Sequence, residues 1–294
     1  MVEDNQIEAK SSPFAMREGE VKTFDGKDGY VSMNQIIHKI NIGHINDLHF
    51  QILDWKNIEY KSQDKINNKL EQLVKSKILT RYYFTSEEGK GIYRIYCLEK
   101  MGKYLLNSRG VECKWQPTDN TKPVGMIKKR LAGNQVLLAY LRKVKAFDEY
   151  TVKPALTAKT LGKVFKATGG GVKLTKNAKS ISFLFEVIRR EDDWEKKFID
   201  KIRMYQDFYT NFVPMDSGFS SLPQLILVCE DDKNMAEAFR AIVTNKIEIP
   251  QIQLLFTTDL RQNNETLKDT LVQFKLDEET KKYKMVSVEL KLLD

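Results

Sequence analysis

Glu186 is the residue whose setting most suggests chemistry. It lies inside the apolar run SISFLFEVI, Ser180 to Ile188, and Arg189, Arg190, Glu191, Asp192 and Asp193 follow at once. A buried carboxylate is costly unless it has a partner or a bound metal. Hard cations such as Mg²⁺ need converging carboxylates, and a metal so held generates hydroxide and stabilises charge on a phosphoryl centre. The second acid is missing upstream: residues 150–185 hold no Asp or Glu but seven lysines, Lys153, Lys159, Lys163, Lys166, Lys173, Lys176 and Lys179. Glu186 is therefore expected to pair with a base, Arg189 or Lys201, and no metal or cofactor is expected. The alternative is a displaced metal site that draws a ligand from Glu191, Asp192 or Asp193; acids in that position otherwise complement a helix N-terminus.

Other chemistry is thin. His38, His44 and His49 are spaced by six and five, which puts them on no common helical face and fits no closed zinc site. Gly169, Gly170 and Gly171 lack the Gly-x4-Gly-Lys-Ser/Thr order of a phosphate loop, and suggest a tight hairpin instead.

The chain has 294 residues, 41% hydrophobic and 30% charged, as expected of a globular protein of two domains. No apolar run reaches the length of a membrane span, and the first residues lack a signal-peptide core. Three widely spaced cysteines, Cys97, Cys113 and Cys229, point to reduced thiols in a cytoplasm. Net charge is +8, unevenly spread. Residues 51–200 carry 31 Lys/Arg against 17 Asp/Glu, and the remainder carries 17 against 23. A basic middle with acidic flanks is the footprint of a polyanion binder.

Residues 1–24 are polar and aperiodic and read as a mobile tail. Residues 25–115 read as one unit. YVSMNQIIHKI predicts a short helix with Ser32 as N-cap, and HINDLHFQILDW a second. SQDKINNKLEQLVKSKIL predicts a third helix, capped by Ser62, with Ile66, Leu70, Leu73, Val74 and Ile78 on its apolar face. LTRYYFT and GIYRIYCL, joined by SEEGKG, predict a β-hairpin, and EKMGKYLLN a closing helix. Three helices and a two-stranded wing form the order of a winged helix-turn-helix, which sets its third helix in the major groove. The expected DNA contacts are Ser62, Lys65, Asn67, Asn68, Lys69, Gln72, Lys75 and, on the wing, Lys90. Amides can bond adenine edges and lysines can bond guanine or phosphate. A protein-binding winged helix is the alternative.

Residues 116–130 read as a linker, with Pro117 and Pro123. Residues 131–294 read as a second domain. AGNQVLLAYLRKVKAF predicts a helix with Val136, Leu137, Tyr140, Leu141 and Val144 inward. A β-meander follows, then the Glu186 strand. DDWEKKFIDKIRMYQDFYTNF predicts a helix with Trp194, Phe198, Ile202, Tyr205 and Tyr209 on one face. A strand, a helix, a strand and a terminal hairpin complete the chain, giving an α+β protein with a mixed sheet flanked by helices.

That order, with Lys201 and Tyr205 one turn apart after the Glu strand, resembles the PD-(D/E)XK nuclease fold. The whole chain is similar to the replication-relaxation and MobC-like proteins of plasmids and conjugative elements. The likeness rests on KLEQLVKSKILTRYYF, IYCLEKMGKYLL, RLAGNQVLLAYL, FLFEVIRREDDWEKKFIDKIRMYQDFY and LPQLILVCEDDKNMAEAF. In active members the resemblance implies an Asp on the meander, then Glu-x-Lys. Glu186 matches the Glu, but Ile188 stands at the Lys position. The resemblance thus implies an inactive site, with Glu186, Lys201 and Tyr205 as its remnant. Lys159, Lys163, Lys166, Lys173, Lys176, Lys179, Arg189 and Arg190 would form a basic groove. The implied role is a sequence-specific double-stranded DNA-binding auxiliary of mobilisation or replication, working with a relaxase or initiator near an origin. Its other expected partner is a second copy of itself, and no membrane. A transcriptional regulator with a C-terminal dimerisation or effector domain is the second reading, and a metal-dependent endonuclease the third.

Overall fold

The computed structural model describes residues 16, 21–24, 31–32, 63–85, 94–108, 116, 123–143, 149–153, 156–160, 163–213, 219, 221–263 and 270–288. The two helices expected across residues 33–55, the three histidines, Ser62, Lys90 and Cys113 lie outside them.

The first half builds a four-stranded antiparallel sheet, in the order β1-β3-β4-β2. Its strands are β1 (Val21–Phe24), β2 (Val31–Ser32), β3 (Leu79–Thr85) and β4 (Arg94–Leu98). Helix α1 (Gln63–Lys75) precedes β3, and α2 (Lys100–Ser108) follows β4. The predicted third helix, hairpin and closing helix are therefore present. Leu70 and Leu73 are buried as the apolar stripe requires. Two expectations are corrected. Residues 21–24 are not tail but an edge strand, with Val21 opposite Thr85 and Phe24 opposite Tyr82. Ser32 is not a helix cap but lies in a strand opposite Ile95. Each of these strands completes a free edge of the hairpin, and so short an edge has no periodicity of its own to betray it.

The second half is a seven-stranded mixed sheet in the order β13-β12-β11-β10-β9-β8-β5. It uses β5 (Glu149–Lys153), β8 (Gly171–Lys176), β9 (Lys179–Val187), β10 (Gln224–Cys229), β11 (Leu255–Thr258), β12 (Val272–Leu276) and β13 (Tyr283–Ser287). A separate hairpin is made by β6 (Leu156–Thr160) and β7 (Lys163–Ala167). β9, β10 and β11 run parallel, and the remaining neighbours are antiparallel. The parallel pairs are linked by α4 (Trp194–Thr210) and α5 (Asp232–Thr244).

The sheet is covered on both faces, which explains why β9 reads as a continuous apolar run. Phe183, Phe185 and Val187 join Ile127, Leu131 and Val136 of α3 (Val124–Lys143). Leu184 and Ile188 join Phe198, Ile202, Tyr205 and Tyr209 of α4 and Met235 and Ala238 of α5. Cys97 of β4 packs into the α3 cluster, so the small sheet shares that core.

Helix α3 begins at Val124, so residues 124–130 are helix and not linker. Residues 131–136 are all buried. Before them, buried Ile127 and Lys128 alternate with exposed Met126 and half-buried Lys129 and Arg130, so residues 124–130 show no one-sided stripe by which a sequence announces a helix. The glycines also differ from expectation. They form no β7–β8 hairpin but a turn docked on β9: the Gly169 amide donates to the Phe185 carbonyl at 2.8 Å, and the Phe185 amide to the Gly170 carbonyl at 2.9 Å. A Cβ on Gly169 would stand 2.7 Å from that of Phe185, and one on Gly133 would stand 2.8 Å from the Gly169 Cα. Helix α3 and the turn thus meet backbone to backbone, an approach open only to glycine.

Candidate functional site

Glu186 is the penultimate residue of β9, on the α4 side of the sheet, at the floor of a cleft of about 180 Å³. Its side chain is 7% exposed. One carboxylate oxygen accepts from the Tyr205 hydroxyl at 2.8 Å and the Thr168 amide at 3.2 Å. The other accepts from the Thr168 hydroxyl. The Lys201 ammonium stands 3.9 Å away and lies 5.7 Å from the Tyr205 ring centroid. Lys201 and Tyr205 reach the same carboxylate because residues four apart share a helical face. Thr168 reaches it because the glycine turn is pinned to β9. Burial first, and the adjacent carboxylate second, push the Tyr205 phenol well above its ordinary range, so it stays a donor.

The expected partnership with Lys201 is therefore formed, and that with Arg189 is not. Arg189 is enclosed and donates to Asp259 at 2.7 Å and to the Ile188 carbonyl at 2.6 Å. Arg190 forms a two-pronged pair with Asp231, at 2.8 and 3.0 Å, and reaches Glu237 at 3.1 Å and Glu230 at 3.5 Å. The Asp231 pairing, ahead of a smaller opposing effect of burial, holds the guanidinium above its ordinary range. Neither arginine supplies a free charge to a basic groove; both tie the end of β9 to the ends of β10 and β11.

The cleft wall is made by Lys129 of α3, Glu191 in the turn after β9, and Trp194, Lys197 and Lys201 of α4. Glu191 is ion-paired with Lys129. Lys197 donates to the Asp192 carbonyl at 2.7 Å. Asp192 and Asp193 are exposed and do not line the cleft. Ile188, at the position where the resemblance calls for lysine, is buried in the core. Among the described residues no group of three or more His, Cys, Asp or Glu could hold a metal. What the cleft can do is bind an anion: its three lysines face two carboxylates, with Arg189 neutralised by Asp259.

Of the other expected groove lysines, Lys173, Lys176 and Lys179 do not line the cleft. Lys173 and Lys179 are exposed near the β8–β9 turn, and Lys176 is half-buried. Lys159, Lys163 and Lys166 belong to the β6–β7 hairpin, where Lys159 opposes Val164 and Lys166 opposes Thr157. On α1, which also carries Lys65, Asn67 and Lys69, the side chains of Asn68, Gln72 and Lys75 are exposed. Thr168, Lys129, Trp194 and Lys197 escaped the sequence reading as site residues. Only the place of Thr168 just ahead of three glycines could have marked it. Cys97 and Cys229 are free thiols, both buried.

The chain is thus a mixed α+β protein with a lysine-rimmed cleft beside the mixed sheet, and among its described residues no helix is long and apolar enough to cross a membrane. No family model, no curated protein and no solved structure matches it.

Proposed function

We propose that this chain is a sequence-specific double-stranded DNA-binding auxiliary protein of plasmid or conjugative-element mobilisation or replication, which acts near an origin beside a relaxase or initiator and does not cut DNA. The first half is read as a winged helix, the second as a nuclease-like domain that has lost its chemistry. One observation carries the non-cutting part: the Glu186 oxygens already accept from Thr168 and Tyr205 and have Lys201 beside them. A carboxylate so engaged, with Ile188 and not a polar group two residues on, is a poor ligand for a hard cation. The exposed amides and lysine of α1, Asn68, Gln72 and Lys75, support the reading of duplex DNA.

The metal-dependent endonuclease, third of the readings above, is favoured by one specific observation. Lys201 brings an ammonium to Glu186 from α4, where the strand itself offers Ile188.

The test has two parts. Duplex affinity is expected to fall ~10³-fold or more between low and physiological salt for six or more phosphate contacts. Gln72→Ala and Lys75→Ala should weaken it without unfolding the protein. Affinity that is flat with salt would remove the DNA-binding reading. Supercoiled plasmid with Mg²⁺ or Mn²⁺ should stay uncut by wild type and by Glu186→Ala alike. Nicking by wild type that vanishes in the variant would establish the endonuclease instead.

A further inference from the structure

We infer that the cleft over Glu186 seats an unpaired nucleotide of a DNA strand, its base stacked on Trp194 and its flanking phosphates held by Lys197 and Lys201. The inference rests on the DNA-binding reading and deepens it.

The first observation is the order of side chains along α4. Trp194, Lys197 and Lys201 stand at positions i, i+3 and i+7, one face of a helix, and all three line the cleft. An aromatic platform followed by two ammoniums on successive turns is the composition by which proteins hold single strands: rings take base faces and lysines follow the backbone. The rise from Lys197 to Lys201 is about 6 Å. That is similar to the separation of neighbouring phosphates along a strand.

The second observation is the size of the cleft. At about 180 Å³ it falls below the roughly 300–1,000 Å³ of pockets that enclose drug-sized ligands. A base fits such a space and a duplex does not. The half-buried indole of Trp194 has the Phe198 ring as its support, 6.2 Å away and tilted by 37°. Inside a duplex, neighbouring base pairs cover both faces of each base, and a terminal pair is too large for this cleft, so an unpaired base is the one that can use the platform.

The third observation is charge. Lys129 is bound to Glu191, and Lys201 stands by Glu186. Among the described residues Lys197 gives one proton to a backbone carbonyl, and among the described cleft residues the lysines outnumber the carboxylates by one. That surplus suits a strand of phosphates and disfavours a free cation.

The experiment compares, by fluorescence anisotropy at one salt concentration, a blunt duplex, the same duplex with a short unpaired tail and the tail alone, using the full chain. Base–aromatic stacking is worth about 1–3 kcal/mol per base, or roughly 5- to 150-fold. The tailed duplex is expected to bind tighter than the blunt one by a factor in that range. Trp194→Ala should erase the preference by bringing tailed-duplex affinity down to that of the blunt duplex. Lys197→Ala, an exposed substitution that does not endanger folding, should reduce it severalfold. Equal binding of blunt and tailed duplex overturns the inference while the duplex-binding reading stands. Binding of the tail without the duplex keeps the inference and overturns that reading. Binding of neither overturns both.

Discussion

At the scale of single residues, the molecule's most unusual group is a carboxylate under cover. Glu186 is tolerated because Thr168 and Tyr205 supply the hydrogen bonds that water would have given it. Tyr205→Phe withdraws one donor without leaving a large cavity. It is expected to cost about 1–3 kcal/mol, read from urea unfolding. The phenol also sets an alkaline limit. Its folded pKa lies above the unfolded value, so the stability it confers is full below about pH 10 and is lost as pH rises from there toward the folded value. The stability of Tyr205→Phe should fall less steeply than that of wild type above pH 10. Tyr205 entered as a site residue through the family resemblance, whereas Glu186 was legible in the sequence because an acid in an apolar run is a local pattern. Thr168 was not, because its contact depends on the glycine turn docking against β9, a tertiary event with no periodic trace.

Among the elements, the β8–β9 hairpin is the one most open to improvement. Lys176 and Lys179 close a two-residue turn whose residues, Asn177 and Ala178, have φ of 50° and 62°. Positive φ at both places is the type I′ geometry that follows the twist of the strands. Asparagine accepts it readily, but alanine carries a Cβ penalty there. Ala178→Gly is expected to stabilise the protein by about 0.5–1 kcal/mol, visible as a rise in Tm. A fall in Tm would mean that the turn differs from this description. The same scale explains what sequence patterns could and could not reveal. Helix α4 was legible because its apolar residues recur along one face, and β3–β4 because two aromatic-rich runs flank a glycine-containing turn. The first turns of α3, residues 124–130, read as linker because Pro117 and Pro123 give the stretch before them a turn-like composition and the helix itself has no one-sided apolar stripe. β1 and β2 have four and two residues, too few for a period to register.

For the whole molecule, the ends of the three parallel strands are bound together by ion pairs. Arg190, just past β9, holds Asp231 and Glu237 at the start of α5, and its own amide donates to Glu230 at 2.9 Å. Burial alone would raise the Asp231 pKa, but the Arg190 pairing and the Asn234 amide, which donates to it at 2.7 Å, outweigh burial and lower it. Stability from a lowered carboxylate is present above its unfolded pKa, about 4, and is lost as pH falls through the folded value. Arg190→Ala is therefore expected to reduce Tm at neutral pH, and the gap from wild type should close as the solution is taken below about pH 4. A gap that stays constant would place the effect in packing of the arginine stem and not in the ion pair.

The amide of Met16 donates to Glu230 at 3.0 Å across 214 residues of chain. On a ribosome those two groups are made at very different times. At about 5–20 residues per second, the amide waits roughly 10–40 s for its acceptor to be synthesised. A chain refolded from denaturant has both at once. During synthesis the contact can therefore form only after residue 230 has been made, whereas in refolding it belongs to no fixed stage. Stalling translation before residue 230 should leave the Met16 amide open to hydrogen exchange that is slowed once Glu230 accepts from it.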